Sequence, residues 1–259
     1  MTAPRMPALF FGHGSPMNAL EDNPMTRSWT AMGQRLRRPR ALLCISAHWE
    51  TKGVLITAAE HPRTIHDFYG FPQALYDVTY PAPGDPALAK ALETRLAAYR
   101  ARVDVDGWGF DHGTWSVLKF LFPKADTPLL QLSLDLRRTP AEHYEIGQAI
   151  APLRDEGVLI VGTGNIVHNL RLYNPRSNAP RPWAQTFDDA VAARIEAGDH
   201  ASLIDYPAIG PEAALAVPEP DHYLPLLYVL ATQGADERAE VFNKQVAGSL
   251  SMTSVAVGV

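Results

Sequence analysis

Short apolar runs alternate with amphipathic stretches along this 259-residue chain, and that alternation limits its fold more than any other feature. Four runs, residues 6–11, 41–47, 129–134 and 158–161, are too short for helices and have stop residues beside them. Because these runs are almost continuously apolar, we expect strands that are covered on both faces. The pattern therefore predicts an α/β fold in which helices flank a mixed, mostly parallel β-sheet.

Helix start signals lie between the apolar runs. An Asp-Pro pair opens a predicted helix over residues 87–99, and residues 139–142 (TPAE) form a capping box with proline at the first helical position. Two further helices are predicted over residues 183–197 and 223–232. Pro225 must then lie in the first turn of the last helix, where proline is tolerated.

The end of the chain contains two more strand candidates, residues 240–246 and 252–257, which we expect to pair as an antiparallel edge of the sheet. The sequence contains no internal repeat, low-complexity tract or Gly/Ser linker. We therefore predict a single domain over residues 1–259.

Composition excludes several classes of protein. The net charge of -5 and the lack of a long basic block argue against nucleic acid as a partner. There is no signal-peptide pattern and no apolar run of about 18 residues, so we expect neither a leader nor a membrane span. The one cysteine, Cys44, lies in an apolar run and is typical of a small core residue. A reducing, cytoplasmic location is the expectation.

Two long segments, residues 61–84 and 106–114, are rich in aromatic residues, glycine and proline and have no periodicity. Long ordered loops are often functional, and aromatic walls suit a planar ligand. An equally strong alternative for any one of these aromatics is that it packs its own loop against the core. The candidate substrate-binding residues are Phe68, Tyr69, Phe71, Trp108 and Tyr223.

Four histidines lie next to sharply turning residues near apolar runs: His13, His48, His168 and His222. His13 and His48 each follow a predicted strand, and open α/β sheets bind ligands at the carboxyl ends of their strands. Imidazole is a common metal ligand, so this placement predicts a metal-centred site. His112, in the second loop, is a candidate for proton transfer. We expect the remaining four histidines to be mostly exposed to solvent: His61, His66, His143 and His200. Of these, His66 is the most plausible exception because it begins the first aromatic segment.

Six motifs, in order, span nearly the whole chain: GHGSP (12–16), SAHW (46–49), DFYGFP (67–72), GWGFDHGTW (107–115), GTGNIVHN (162–169) and DHYLP (221–225). Together they resemble the 4,5-DOPA extradiol dioxygenase family, which belongs to the class III, LigB-like ring-cleavage dioxygenases. The resemblance implies a single-domain α/β fold and a divalent metal beside the sheet. It also implies that O2 opens a catechol such as DOPA next to its hydroxyls, giving a muconic semialdehyde.

The same resemblance implies that His13, His48 and His222 are the primary metal ligands, with His168 close to the metal as either a ligand or the catalytic base. In the related protocatechuate-cleaving branch the third ligand is a glutamate, so His222 departs from that branch. Neutral imidazoles suit both metals that we consider, Fe2+ as the working metal and Zn2+ as a metal bound on isolation. We assign His168 to take the second catechol proton, and His112 to hydrogen-bond a catechol oxygen or return a proton.

The expected partners are a small catechol and O2, and the sequence leaves the oligomeric state open. Two alternatives remain on the same fold, a zinc-dependent hydrolase and a non-catalytic metal-binding protein. Serine hydrolysis is the least favoured class because the chain has no Gly-x-Ser-x-Gly motif.

Overall fold

The computed structural model describes residues 5–105 and 107–259, and a sheet of eight strands lies at its centre. The strands are β1 (Ala8–Gly12), β2 (Ala41–Glu50), β3 (Leu55–Thr57), β4 (Arg102–Asp104), β5 (Leu129–Leu134), β6 (Val158–Gly164), β7 (Ala239–Phe242), β8 (Val246–Ala247), β9 (Leu250–Ser251) and β10 (Ser254–Val257). The order across the large sheet is β4-β3-β5-β2-β6-β1-β10-β7, and β8 and β9 form a separate small pair.

Strands β5, β2, β6 and β1 are parallel neighbours and form the middle of the sheet. Antiparallel pairs join β3 to β5, β10 to β1 and β7 to β10. The predicted α/β class, with its mixed and mostly parallel sheet, is confirmed. The predicted antiparallel edge at the end of the chain is also confirmed, with shorter strands than the sequence indicated.

Both faces of the central strands are covered. Every residue of β1, β5 and β6 is buried, and alternate residues belong to two separate hydrophobic cores. Phe10 and Ile160 contribute to one core, whereas Phe11 and Val161 contribute to the other. This double burial explains why the runs are apolar without alternation.

Helices pack on both sides of the sheet: α1 (Pro24–Arg35), α2 (Gln73–Tyr76), α3 (Pro86–Arg95), α4 (His112–Leu121), α5 (Pro140–Ile150), α6 (Pro182–Ala197), α7 (His200–Ile204), α8 (Ala213–Ala216) and α9 (Leu224–Leu230). The predicted capping box of Thr139 and Glu142 is present at the start of α5. Pro225 lies in the first turn of α9, as expected.

The second predicted loop, residues 106–114, is partly wrong. Helix α4 begins at His112, because the Asp111 side chain accepts a hydrogen bond from the Thr114 amide and caps the helix. Asp106, where the predicted loop begins, lies outside the described residues. The predicted extent of the domain, residues 1–259, also includes such positions and stays a prediction.

Within the described ranges, no helix combines the length and apolarity that crossing a membrane requires. Cys44 is buried in β2, in agreement with its expected role as a core residue.

Candidate metal centre and catalytic cleft

Sheet register brings His13 and His48 together. Ser46 and Phe11 both pair with Thr163 of β6, so the three residues share one rung of the sheet. His48 and His13 each lie two residues beyond that rung, and two residues is the period of side-chain direction in a strand. Their Nε2 atoms are 3.2 Å apart.

His222 is held against the end of β6 by backbone contacts. The Asn165 amide donates to the His222 carbonyl at 2.9 Å. Gly164 permits this approach, because a Cβ atom there would lie 2.1 Å from the same carbonyl oxygen. His168 follows on the same chain segment, and its amide donates to the Ala216 carbonyl. The His168 ring stacks on the His222 ring with a centroid distance of 3.4 Å.

His112 enters the cluster from the start of α4. Its backbone N–H donates to Oδ1 of Asp67 and its Nδ1 lies 2.9 Å from Oδ2 of the same carboxylate. Helix α4 approaches closely because Gly113 lacks a side chain: a Cβ atom there would lie 2.7 Å from the His48 ring. The His48 and His112 ring centroids are 3.9 Å apart.

The imidazole cluster therefore contains five histidines. The His13 ring centroid lies 5.5 Å from those of both His112 and His222, and the His48 centroid lies 4.9 Å from that of His222. Possible ligand atoms of His13, His48 and His112 all lie within 4.8 Å of one another. Among the described residues, the structure thus groups His112 with His13 and His48, whereas the predicted ligand His222 is not in this closest group.

Three histidines of this cluster share a hydrogen-bonding pattern at Nδ1. This atom contacts the Gly14 carbonyl in His13, Asp221 in His222 and Asp67 in His112, at 2.9, 2.6 and 2.9 Å. A histidine that donates through Nδ1 has its lone pair on Nε2, which is the arrangement that metal-binding histidines use. Asp221 therefore fixes the orientation of the His222 ring by accepting a hydrogen bond from Nδ1.

Burial favours the neutral form of three of these imidazoles, those of His13, His48 and His168. Removal from water, together with the other histidines, holds the pKa values of His13 and His48 well below the usual value. Burial and then His222 lower the pKa of His168 to about 3. Burial raises the pKa of Asp67, but the side-chain hydrogen bond with His112, the charge interaction with His112 and backbone hydrogen bonds together outweigh this effect, so the net pKa is lowered. Neutral imidazole is the form that binds a metal ion.

A buried nitrogen atom without a hydrogen-bond partner indicates whether a metal ion fits this site. Nε2 of His222 is buried and has no hydrogen-bond partner among the described residues. A buried polar atom without a partner destabilises a protein, and a metal ion would satisfy this one. Imidazole ligands suit Fe2+ or Zn2+, and the Nδ1 atoms of His13, His112 and His222 have hydrogen-bond partners that leave Nε2 for a metal ion. The residues present therefore fit a divalent transition metal.

A buried polar network behind His48 was not predicted from the sequence. Asp111 accepts hydrogen bonds from the Ser46 hydroxyl at 2.7 Å and from the Gln131 amide at 2.6 Å. The Ser46 oxygen also accepts from the His48 amide at 3.3 Å. The network links β2, β5 and the start of α4, so it fixes His48 relative to His112.

The cluster forms the floor of a cleft of about 610 Å³. Phe68 and Phe71 line it, as predicted, and Leu170, Tyr173 and Leu250 line it without having been predicted. Asp67 was also missed as a site residue, although it stands directly before Phe68 in the aromatic motif. The side chains that line the cleft include His13, His48, Asp67, Phe68, Phe71, His112, His168, Leu170, Tyr173, Asp221, His222 and Leu250.

Three predicted substrate-binding residues do not line the cleft. Tyr223 is wrong because its side chain is fully buried in the core, where its hydroxyl donates to the Leu203 carbonyl. Tyr69 is 93% exposed and points away from the cleft lining. Trp108 stacks on Trp49 and donates through Nε1 to Asp111, so it supports the network behind the site.

His143 was wrongly expected to be solvated. It is fully buried, and its Nδ1 lies 2.9 Å from the Tyr228 hydroxyl. His66 contacts the Val78 carbonyl and the rings of Phe68 and Trp115, which supports the aromatic loop.

A family model described as the catalytic LigB subunit of aromatic ring-opening dioxygenase matches residues 7–259. The chain belongs to this LigB family. An Escherichia coli K12 protein named 4,5-DOPA dioxygenase extradiol is 48% identical over 100% of this chain and 97% of the relative. A Beta vulgaris protein of the same name is 36% identical, covering 93% of this chain and 92% of its own length.

The LigB fold is supported by a solved structure as well. The crystal structure of an uncharacterized Escherichia coli K12 protein superposes with a TM-score of 0.86 at 44% identity. The match covers 98% of this chain and 100% of the other. The LigB family is metal-dependent, which agrees with the cluster of imidazoles on the cleft floor.

Proposed function

We propose that this protein is an extradiol dioxygenase that uses O2 to open the ring of a catechol such as DOPA, giving a muconic semialdehyde. The observation that carries the proposal is the cluster of five histidines on the floor of an aromatic-walled cleft, in a LigB-family chain. Two relatives named as DOPA dioxygenases support the choice of substrate. Neither of them is named as a hydrolase.

We assign His13, His48 and His222 to hold Fe2+ in the cell, and the same atoms would accept Zn2+. His13 and His222 have supported Nδ1 atoms, and His222 has the orphaned Nε2. When bound, Fe2+ supplies a Lewis acid for both catechol oxygens and an electron path to O2. His112 lies close enough to His13 and His48 to compete as a ligand. We assign it to contact the substrate because the family resemblance gives the third ligand position to His222, whose buried Nε2 has no partner among the described residues.

The two remaining histidines handle protons in this proposal. Burial lowers the pKa of His168 to about 3, so it is uncharged near neutral pH. We assign it to accept the second catechol proton because it lines the cleft beside His222 and because a bound metal cation would make that proton more acidic. His112, with Nδ1 on Asp67, presents Nε2 to a catechol oxygen. Asp67 thus fixes both the tautomer and the ring orientation of His112.

The walls of the cleft position the ring. Phe68 and Phe71 pack edge to face at 5.3 Å and form one aromatic wall. Leu170, Tyr173 and Leu250 form an apolar wall of the same cleft. A planar catechol between these walls is held over the histidines and shielded from water, which lowers the entropic part of the barrier.

Oxygen uptake tests the proposal. Metal-stripped protein is reloaded anaerobically with Fe2+ or with Zn2+ and mixed with DOPA or protocatechuate. We expect oxygen uptake and a yellow semialdehyde with Fe2+ and neither with Zn2+. If verified iron-loaded protein consumes no oxygen across a panel of catechols, the proposal is wrong.

A further inference from the structure

A fully buried carboxylate on α6 lies outside the cleft and has no part in the mechanism above. Asp188 is 0% exposed and accepts hydrogen bonds from the Ser251 hydroxyl at 2.5 Å and from the Thr253 hydroxyl at 2.8 Å. Burying a carboxylate is costly unless hydrogen bonds compensate, and here both of its oxygens are used. Asp188 therefore ties the end of β9 and the residues after it to α6.

Strand β9 pairs with the chain segment that carries His168. Leu250 forms an antiparallel bridge with His168 itself. The amide of Ser251, the next residue of β9, donates to the Val167 carbonyl at 2.9 Å. The backbone of His168 is thus paired with the strand that Asp188 anchors.

Further hydrogen bonds join the two ends of the His168 segment to the same strand and its turn. The side-chain amide of Asn165 donates to the Ser251 carbonyl at 2.6 Å. Beyond His168, the Asn169 amide donates to the Ser249 carbonyl at 3.1 Å, and the Ser249 hydroxyl donates to the Asn169 carbonyl at 2.7 Å. The position of this segment therefore depends on residues 249–251.

The His168 ring depends on this backbone support more than the other histidines do. Nδ1 contacts fix the rings of His13, His112 and His222. Within the described ranges the His168 ring has no hydrogen bond, and it is placed by its backbone and by stacking on His222. A shift of β9 would therefore move the His168 ring directly.

We propose that Asp188 is a positioning residue for His168, which it places through Ser251 so that the imidazole reaches the second catechol proton. This inference rests on the proposed function, because it concerns the base of the same cleft. Misplacing a reacting group by about 1 Å can cost about 10²-fold in rate, so an anchor that never touches the substrate can control this step.

The ionisation of bound 4-nitrocatechol measures the base without turnover. The visible spectrum of this ligand changes when its second hydroxyl loses a proton, so titrating its complex with zinc-reloaded protein gives the pH midpoint of that step. We expect Asp188→Ala to raise the midpoint by about one pH unit, because a displaced imidazole accepts the proton less well. An unchanged midpoint overturns the proposal. Loss of zinc from this variant overturns it too, because Asp188 would then support the metal site as a whole.

Two milder variants keep the test decisive if Asp188→Ala does not fold. Ser251→Ala removes one hydrogen bond to Asp188, keeps the backbone bonds of residue 251, and should raise the midpoint by a smaller amount. Asp188→Asn should keep the wild-type midpoint, because its amide oxygen accepts from Ser251 and its NH2 group can donate to the Thr253 oxygen. A wild-type midpoint in Ser251→Ala, or a midpoint raised by about one unit in Asp188→Asn, contradicts the proposed hydrogen-bond route.

Glu237→Gln is the matched control, because Glu237 is a carboxylate that anchors the opposite end of the sheet. Glu237 pairs with Arg154 at 2.6 Å, and Arg154 donates to the Met6 carbonyl just before β1, whereas His13 follows the other end of that strand. This variant should lower the melting temperature and keep the wild-type midpoint. An equal rise in the midpoint would assign the effect to lost stability, and the proposal would fall.

A double variant shows whether Asp188 acts through His168. His168→Ala alone should raise the midpoint at least as far as Asp188→Ala, and combining the two changes should add nothing further. A further rise in the double variant would mean that Asp188 acts by another route, which contradicts the proposal.

The titration needs neither iron nor O2, so it separates this proposal from the proposed function. A raised midpoint in Asp188→Ala, together with no oxygen uptake by the iron-reloaded wild-type protein, supports the positioning role and overturns the dioxygenase activity. Oxygen uptake by the wild-type protein, together with an unchanged midpoint in the variant, supports the activity and overturns the positioning role.

Discussion

The floor and the walls of the cleft are built in different ways. The floor consists of histidines at the ends of β1 and β2, after β6 and at the starts of α4 and α9. Hydrogen bonds at Nδ1 fix the orientation of His13, His112 and His222. The walls consist of side chains such as Phe68 and Leu170, which come from loops or short turns and are held by packing. Leu170 is 62% exposed, whereas His13 is 1% exposed.

This contrast separates the tasks of the site. A floor fixed by sheet register and hydrogen bonds gives the fixed geometry that metal binding and proton transfer need. Walls held by packing alone can change shape and composition without moving the floor. We therefore expect floor substitutions to abolish metal binding or turnover, and wall substitutions to change the affinity for substrate.

The largest effect is expected from removing a strand-end ligand. His13→Ala should lose bound iron and lower activity by at least about 10²-fold, because the metal loses one of its few ligands. Metal analysis and oxygen uptake check this result. His61→Ala, at an exposed position, is the matched control and should keep both iron and activity. Full iron content in His13→Ala would contradict the assigned ligand set.

His168→Ala separates a base from a ligand. We expect it to retain iron and lose about 10²- to 10⁴-fold in kcat, the range typical of a lost proton-transfer group. Iron content and single-turnover rates are the measurements. If iron content falls as far as it does in His13→Ala, His168 is a ligand and our assignment is wrong.

Asp67→Asn tests whether the carboxylate of this loop residue is needed for the function of His112 on the cleft floor. Asparagine keeps an acceptor for the His112 amide but loses the carboxylate that supports Nδ1, so we expect about a 10- to 100-fold loss of kcat with iron retained. Asp77→Asn changes an exposed acid nearby in the chain and should have no such effect. A normal kcat for Asp67→Asn would show that His112 needs no carboxylate.

The smallest expected effect comes from replacing the adjacent aromatic residues Phe68 and Tyr69. This pair tests whether the cleft walls set the affinity for the substrate. Phe68→Ala should raise KM about tenfold with a smaller change in kcat, because the catechol loses apolar contact area. Tyr69→Ala should leave both constants unchanged, since this side chain is 93% exposed. Steady-state kinetics of the two variants check the prediction. Equal effects would mean that the cleft changes shape on binding.

Sequence patterns predicted the floor better than the walls, for a physical reason. His13 and His48 follow long apolar strands, and parallel strands bring their carboxyl ends to one edge whatever the loops do. Placement beside turns pointed to His168 and His222 as well, but their roles as base and ligand came only from the family resemblance. The start of α4 at His112 depends on the Asp111 cap, which the glycine-rich sequence around it does not indicate.

The sequence did not predict which aromatic side chains line the cleft, because the direction of each ring depends on tertiary contacts. Phe68 and Tyr69 are neighbours in one motif, yet one lines the cleft and the other points into solvent. Tyr223 follows His222 directly and points into the core, where its hydroxyl finds a carbonyl partner. Without strand periodicity, a sequence contains no rule for which side of a loop a ring occupies.

The fate of isotopically labelled O2 tests the central claim most directly. Iron-reloaded protein is incubated with DOPA under labelled O2 in ordinary water, and any product aldehyde is reduced at once so that its oxygen cannot exchange. An extradiol dioxygenase places both labelled atoms in the ring-opened product, and we predict that mass. A product that carries no label, or that takes its new oxygen from water, would contradict ring cleavage by O2 and favour hydrolysis.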